Sequence, residues 1–371
     1  MIILGSSGSI GCNALDVAQN FCLPVETLVA GYNITLLNQQ IHQFRPRFVV
    51  VAKQSLVNQV NTDSLEAIFV GTDGILQALR ESHSTLVLNA LSGFLGLEPT
   101  LYAQSLGKTI ALANKESLVV GGAWIDCKRI IPVDSEHFSL WFLQQSRQPF
   151  DELILTASGG AARDVPLESL ATQKAADMLR HPNWAMGKKI TIDSATMANK
   201  LFEILEAFWL FRTTRINALI ERNSLIHALV RFIDGSLSAH LAKNDMRLPI
   251  AYALLGAEAL QTALADKPFF ESLNLCTMPP LSFSEIDTNR YPLWVLKESL
   301  LANPQLGVIV NAANEIAVEL YLHGHILFTQ IAHIVQDCLQ CFAHCKPTLE
   351  TIATIDSNVR AKARAIAGTL R

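Results

Sequence analysis

Between residues 1 and 133, short β-rich runs alternate with polar stretches of helical character: "MIIL", "ETLVAG", "RFVVVA", "AIFVG", "TLVLNAL", "TIALA" and "RIIPV". Few folds accept this alternation. Each strand is followed by a helix that packs back on the sheet, so the pattern predicts an α/β, doubly wound Rossmann-type domain over 1–133. From 134 to 262 helices mix with further strands, "ELILTA", "KITI", "LIHALVRFI" and "SLSAHLA", which predicts an α+β catalytic and dimerisation domain. A proline-bearing stretch at 263–290 reads as a linker, and 291–371, rich in Ala, Leu and Ile at helical spacing, predicts a small C-terminal α-helical bundle. A length of 371 residues suits two or three such domains.

The first βα turn carries the earliest chemical signal. "MIILGSSGSIG" places glycines at 5, 8 and 11 between a strand and the helix pattern "CNALDVAQNF". Glycine there supplies tight backbone angles and lets a pyrophosphate approach the amides of a helix N-terminus. The second strand ends in "AGYN", without the acid that binds the ribose hydroxyls of NAD, which leans the reading toward NADP; no Arg or Lys occupies that position either. After "TIALA" come Asn114, Lys115 and Glu116, which either face a cofactor crevice beyond the strand ends or form a helix N-cap and its exposed first turn.

The middle region concentrates polar groups. "LILTASGGAARD" runs a strand into a loop with Ser158, Gly159 and Gly160, offering a hydroxyl and open amides to an anion. "RHPNWAMGK" sets His181 and Trp184 in a loop broken by Pro182 and Gly187, the composition of a lid. "TIDSATMANKLFEILEAFWLF" predicts one helix, with Met197, Leu201, Ile204, Phe208 and Phe211 on an apolar face and Thr196, Asn199, Lys200, Glu203 and Glu206 opposite. By default the polar face is solvated surface. The alternative is that Asp193 or Ser194 caps an anion-ready terminus, with Asn199 and Lys200 adding donors and Glu203 serving a divalent metal. "PVDSEHF" offers two more carboxylates, Asp134 and Glu136: on one face if the chain is still extended there, or complementing a helix dipole if Ser135 caps a helix.

Bulk properties exclude some classes. No apolar run reaches the ~18–20 residues of a bilayer helix, and the first residues lack the basic region and long apolar core of a signal peptide, so a cytoplasmic protein without membrane contact is expected. A net charge of −4 gives no basic field for nucleic acid, which leaves a small-molecule partner as the default. Seven cysteines in no framework spacing suit free thiols. Within "CLQCFAHC", Cys338, Cys341 and Cys345 follow the apolar stripe of a helix rather than the geometry of a zinc site.

Taken together, "GSSGSIG", "LANKESLV", "PVDSEHF", "SGGAARD", "HPNWAMGKKITIDSATMANKLFE" and "NAANEIAVE" closely resemble the 1-deoxy-D-xylulose 5-phosphate reductoisomerase family. The resemblance runs from Met1 into the C-terminal helices and implies a V-shaped homodimer using NADPH and Mg²⁺ or Mn²⁺. It implies that Ser7, Gly8, Ser9, Ile10, Gly31, Asn33, Asn114, Glu116 and Gly187 line the cofactor, and that Asp134, Glu136 and Glu203 hold the metal. Ser158, Ser194, Asn199 and Lys200 would take the substrate phosphate with His181 nearby, Lys115 and Ser135 would reach the sugar hydroxyls, and Trp184 would cap the pocket. The implied catalytic groups are Lys115, Asp134, Glu136 and Glu203, and Glu136 and Glu203 also contact substrate. The implied reaction converts 1-deoxy-D-xylulose 5-phosphate to 2-C-methyl-D-erythritol 4-phosphate in the non-mevalonate isoprenoid pathway. Departures from the family pattern fall at Tyr32, where a basic residue is common, at Ala161 and Ala162, at Leu201, and at "ERNSLIH". Two rival classes share the Rossmann base: a metal-assisted NAD(P) dehydrogenase acting on another sugar phosphate or hydroxy acid, and a non-enzymatic nucleotide sensor.

Overall fold

The computed structural model describes residues 1–146, 148–184, 186–266 and 268–370. By contacts the chain divides into two compact units: Met1–Ser117 with Ile125–Phe138 and Asp245–Glu271, and Leu118–Trp124 with Ser139–Asn244 and Ser272–Arg371.

In the first unit all seven expected strands form: β1 (Ile2–Leu4), β2 (Thr27–Val29), β3 (Phe48–Val51), β4 (Ala67–Val70), β5 (Leu86–Asn89), β6 (Thr109–Leu112) and β7 (Ile130–Pro132). Every pairing is parallel, in the order β4-β3-β2-β1-β5-β6-β7. The strand order reverses at β1, whose neighbours are β2 and β5, so the glycine loop after β1 opens at the switch point where doubly wound sheets bind ligands. Ile3, Leu28, Val49, Leu88 and Ala111 form the buried centre. Two helices from much later in the chain, Arg247–Leu255 and Ala257–Asp266, complete that core through Ile250, Ala251, Ala253 and Leu260. An ion pair from Arg247 to Asp16 at 3.0 Å ties them to the helix Ser9–Asn20.

The second unit is built on a mixed sheet of β8 (Phe150–Ala157), β9 (Ile216–Glu221), β10 (Ile226–Phe232), β11 (Leu237–Leu241) and β12 (Phe283–Ser284), in the order β11-β10-β8-β9-β12. β8 and β9 are parallel, so the chain must cross over between them, and it does so through helices. β9 and the short β12 carried no clear signal in the sequence. C-terminally, the helices Gly307–Leu322, Gln330–Phe342 and Ile352–Thr369 pack on one another as the bundle that the Ala/Leu/Ile spacing predicts. In the second of these Cys338 is buried but Cys341 is exposed, so the thiols do not share one buried stripe.

Two expectations for the crossover fail. "KITI" is not a strand: it lies in the helix Lys188–Thr196, which Gly187 precedes at φ −61°, ψ 155°. Thr191, Ile192, Ala195 and Thr196 are buried at helical spacing, and packing against the helix Gly307–Leu322 overrides the β preference of branched residues. Nor is 193–211 one helix. Met197 adopts the left-handed conformation at φ 68°, costing a non-glycine residue about 1–2 kcal/mol, and a second helix, Ala198–Phe211, starts there. Asp193 and Ser194 are therefore inside the first helix and cap nothing.

Candidate active site

The loop after β1 is built by close backbone approach. Gly5 sits at φ +90°, where a Cβ would meet the Ala90 carbonyl oxygen at 2.5 Å; a Cβ on Gly11 would meet the Gly5 oxygen at 2.3 Å. The Ser6 amide donates to Val29 at 2.8 Å and the Gly8 amide to Gly5 at 3.1 Å, leaving Gly8 and Ser9 exposed at the start of Ser9–Asn20. An exposed helix start with glycines behind it is the arrangement that receives a pyrophosphate. On the next turn Gly31, Tyr32 and Asn33 are exposed, and the Asn33 Oδ1 accepts from the Leu36 amide at 3.1 Å as cap of the helix Ile34–Phe44.

Asn114 braces this crevice rather than protruding into it. Its Nδ2 donates to the carbonyls of Leu91 and Gly93 at 2.8 and 3.0 Å and to Glu116 Oε2 at 3.1 Å. Its Oδ1 accepts from the Ser117 amide at 3.0 Å, which is an N-cap for the helix Lys115–Gly121. Neighbouring Lys115 turns inward, and its Nζ lies 2.5 Å from Asp134 Oδ2.

Asp134 does not continue the strand. A helix, Ser135–Leu143, begins immediately after it; Asp134 Oδ1 accepts from the Glu136 amide at 3.3 Å, and its carbonyl accepts from the Phe138 amide at 2.8 Å. The expectation of an extended chain with both acids on one face is thus corrected, and the residue at the capping position is Asp134, not Ser135. The cause is local: Asp is a strong capping residue and the β7 ladder ends at Pro132. His137, one turn on, places Nδ1 3.2 Å from Asp134 Oδ1. Burial alone would raise the Asp134 carboxyl, but the Lys115 ammonium and the His137 hydrogen bond outweigh it and hold the group well below the usual carboxylate range. Ser135 Oγ donates to Glu136 Oε2 at 2.5 Å.

The second unit also assembles a polar cluster. Ser158, Gly159 and Gly160 follow β8, with both glycines at positive φ. A Cβ on Gly160 would meet the Ala195 amide nitrogen at 2.6 Å, so this loop lies directly on the helix segment carrying Ser194. The Tyr291 hydroxyl donates to the Gly159 carbonyl at 2.8 Å, and Arg163 Nη1 donates to the Ser158 carbonyl at 2.9 Å. His181 Nδ1 accepts from the amides of Asn183 and Trp184 at 3.1 and 2.9 Å. Its proton therefore resides on Nε2, 3.0 Å from Ser158 Oγ, which also accepts from the Gly160 amide at 3.1 Å. With His181 Nε2 and the Gly160 amide as donors to that oxygen, the Ser158 O–H is left to donate a hydrogen bond to a bound anion. Asn183 Nδ2 donates to Ser224 Oγ at 2.7 Å, anchoring the segment before Trp184; Ala185 of the expected lid lies outside the described residues.

Burial, and secondarily Arg163, lower the His181 imidazole to about 4 from its ordinary 6.5. Between those values the unfolded chain binds a proton that the folded protein does not. The associated stability is therefore present above about pH 6.5 and is lost as pH falls toward 4. His181→Gln is expected to flatten the pH dependence of unfolding free energy across that window, as read from urea titrations at several pH values.

The polar face of Ala198–Phe211 is not solvated: Lys200 and Glu203 are 3% and 1% exposed, and Glu206 is buried too. Lys200 Nζ donates to Glu203 Oε2 and to the Thr156 carbonyl of β8, and Asn199 Nδ2 donates to Glu203 Oε1. These residues, one turn apart as the helical spacing predicts, hold one another beside the Ser158 loop. Asp193 is instead structural. Asn314 Nδ2 donates to its Oδ1 at 2.7 Å and Lys189 pairs with it at 2.9 Å. This gives a role to Asn314, one of the two buried asparagines of "NAANEIAVE". Asn314→Ala removes a hydrogen bond to a buried carboxylate and is expected to cost about 1.5–3 kcal/mol, measurable by chemical denaturation.

Known proteins resemble this chain along nearly its whole length. Family models described as 1-deoxy-D-xylulose 5-phosphate reductoisomerase, the C-terminal domain of that enzyme and DXP reductoisomerase C-terminal domain match residues 1–122, 130–211 and 241–362. The 1-deoxy-D-xylulose 5-phosphate reductoisomerase of Wolinella succinogenes is 55% identical over 360 residues, covering 97% of this chain and 98% of the relative. That of Campylobacter curvus is 49% identical, with 97% of each chain covered. Among solved structures, the Zymomonas mobilis enzyme in complex with NADPH superposes with a TM-score of 0.88 at 34% identity, over 99% of this chain and 98% of that one. A reductoisomerase in complex with NADPH, fosmidomycin and magnesium gives 0.87 at 30% identity, over 100% and 98%. With three family models covering most of its length and relatives near half-identical end to end, the chain belongs to the 1-deoxy-D-xylulose 5-phosphate reductoisomerase family.

Proposed function

We propose that the protein carries out the NADPH-dependent, divalent-metal-dependent rearrangement and reduction of 1-deoxy-D-xylulose 5-phosphate to 2-C-methyl-D-erythritol 4-phosphate, in the non-mevalonate route to isoprenoid precursors. The observation that carries this reading is the buried Lys200–Glu203 pair beside the Ser158–Gly160 loop. A hydroxyl, an ammonium and a carboxylate together suit a phosphorylated substrate held next to a cation.

Asp134, Glu136 and Glu203 are the residues we assign to Mg²⁺ or Mn²⁺. Their chemistry fits: all are hard oxygen donors, and Asp134 and Glu203 are withdrawn from solvent and each held against a lysine that a divalent cation can replace. When bound, such an ion would supply Lewis acidity for a ketose carbonyl and its neighbouring hydroxyl, and NADPH a hydride. Ser158, Ser194, Asn199 and Lys200 bind and orient the phosphate, Ser158 by donating its hydroxyl, while neutral His181 fixes that hydroxyl's direction. Lys115 and Ser135 are the residues we assign to the sugar hydroxyls, and Trp184 to capping the substrate against water. Ser7, Gly8, Ser9, Ile10, Gly31, Asn33, Asn114, Glu116 and Gly187 form the cofactor site, with Asn114 shaping the crevice through the hydrogen bonds given above.

The test is NADPH oxidation with 1-deoxy-D-xylulose 5-phosphate, with and without Mg²⁺, repeated with NADH and followed by product identification. Metal-dependent formation of the branched methylerythritol skeleton is expected. Reduction without rearrangement, or no turnover under any of these conditions, overturns the reading. We further infer a cytoplasmic homodimer from the family resemblance. Light scattering on the purified protein tests the dimer. No single described helix is long and apolar enough to cross a membrane.

A further inference from the structure

The turn after β2 carries Gly31-Tyr32-Asn33 and no cation. In a doubly wound sheet the end of this second strand is where the adenosine ribose sits, and a 2′-phosphate there calls for an arginine or lysine. The structure places one nearby from a different loop. Lys53 follows β3, and its Nζ lies 5.4 Å from the centroid of the Tyr32 ring. The two loops are joined by backbone: the Ala30 amide donates to Val50 at 2.9 Å, and the Ala52 amide to Gly31 at 3.2 Å. Tyr32 is 66% exposed and Lys53 is exposed as well, so both present themselves to solvent beyond the C-terminal edge of the sheet. Neither 30–37 nor 52–61 contains an acid that would neutralise the ammonium or repel a phosphate. Arg47, the other basic residue adjoining β3, precedes that strand and is paired with Glu26 and Glu66.

We propose that Lys53, steered by the face of Tyr32, is the residue that recognises the 2′-phosphate of NADPH in this protein, replacing a basic residue within the β2 turn itself. The proposal rests on the NADPH reading above and adds to it the group that discriminates NADPH from NADH. The aromatic ring holds a flexible ammonium over the ribose position while leaving its N–H donors available. A single charge-assisted contact then separates the two nucleotides, with no change in the glycine loop that both use.

Calorimetric binding of 2′,5′-ADP and 5′-AMP to the full-length protein separates this idea from the cofactor reading. The wild type is expected to favour 2′,5′-ADP. Lys53→Ala should weaken 2′,5′-ADP about tenfold or more while leaving 5′-AMP affinity in place, Lys53→Arg should restore the preference, and Lys53→Glu should invert it. Tyr32→Ala should lose part of the preference, since the ammonium is then unrestrained. If the wild type favours 2′,5′-ADP and Lys53→Ala does so equally, Lys53 is not the selecting group, although the NADPH reading stands. Absence of any preference in the wild type overturns both.

Discussion

Glu203→Gln is expected to lower metal-dependent turnover at least about 100-fold while NADPH still binds. The carboxylate is 1% exposed and engages Asn199 and Lys200, so the substitution removes a negative charge from a water-poor site where it counts most. It also withdraws the counter-charge of a buried ammonium, and breaking such a pair typically costs about 3–5 kcal/mol. Loss of activity alone could therefore report partial unfolding. Two measurements separate the causes: quenching of protein fluorescence by NADPH, which should persist, and the double variant Lys200→Met/Glu203→Gln. The latter should recover thermal stability without recovering turnover. Near wild-type turnover in Glu203→Gln removes this residue from the metal site.

Gly11→Ala is expected to reduce kcat/KM for NADPH by about 100-fold, on the scale of a displacement of roughly 1 Å in a binding loop. The added methyl meets the Gly5 oxygen at 2.3 Å and the Ser6 Cα at 2.6 Å, both main-chain atoms that cannot rotate away. Either the first turn of Ser9–Asn20 or the glycine loop must shift, and both bear on the pyrophosphate position. Gly368→Ala, in the helix Ile352–Thr369, serves as contrast, because nothing lies within 4 Å of a Cβ there, its φ is not positive and it is not among the cofactor residues; it should bind NADPH within a few-fold of wild type. Equal behaviour of the two variants would show that backbone proximity in the first loop does not govern cofactor binding.

What could be read in the sequence follows from the range of the interactions involved. The seven strands of the first unit were legible because each is a contiguous apolar run, and the burial of β1, β2 and β3 at every position explains why their patterns are unbroken. The grouping of Asn199, Lys200 and Glu203 was legible because helical spacing alone puts them together. "KITI" misled because branched residues state a preference worth tenths of a kcal/mol, which packing against Gly307–Leu322 overrules. The break at Met197 had no glycine or proline to announce it. His137 could have been found, since an acid three residues before a histidine at a helix start is a capping-turn pairing; Asn314 could not, since its partner Asp193 is 121 residues away.

By itself, then, the sequence determined the family, the parallel sheet with its glycine loop, and the residue types available for an all-oxygen metal site and a phosphate site. Those properties depend on local periodicity and on which side chains are present. Only the tertiary structure decided that Asp134 caps a helix and is held ionised by Lys115, that Ser158 is oriented by His181, that the polar face of Ala198–Phe211 is buried, and that Lys53 reaches Tyr32 from the next loop. Each of these depends on a partner brought in from another element, and the strength of a charge or hydrogen bond is set by how far that meeting excludes water.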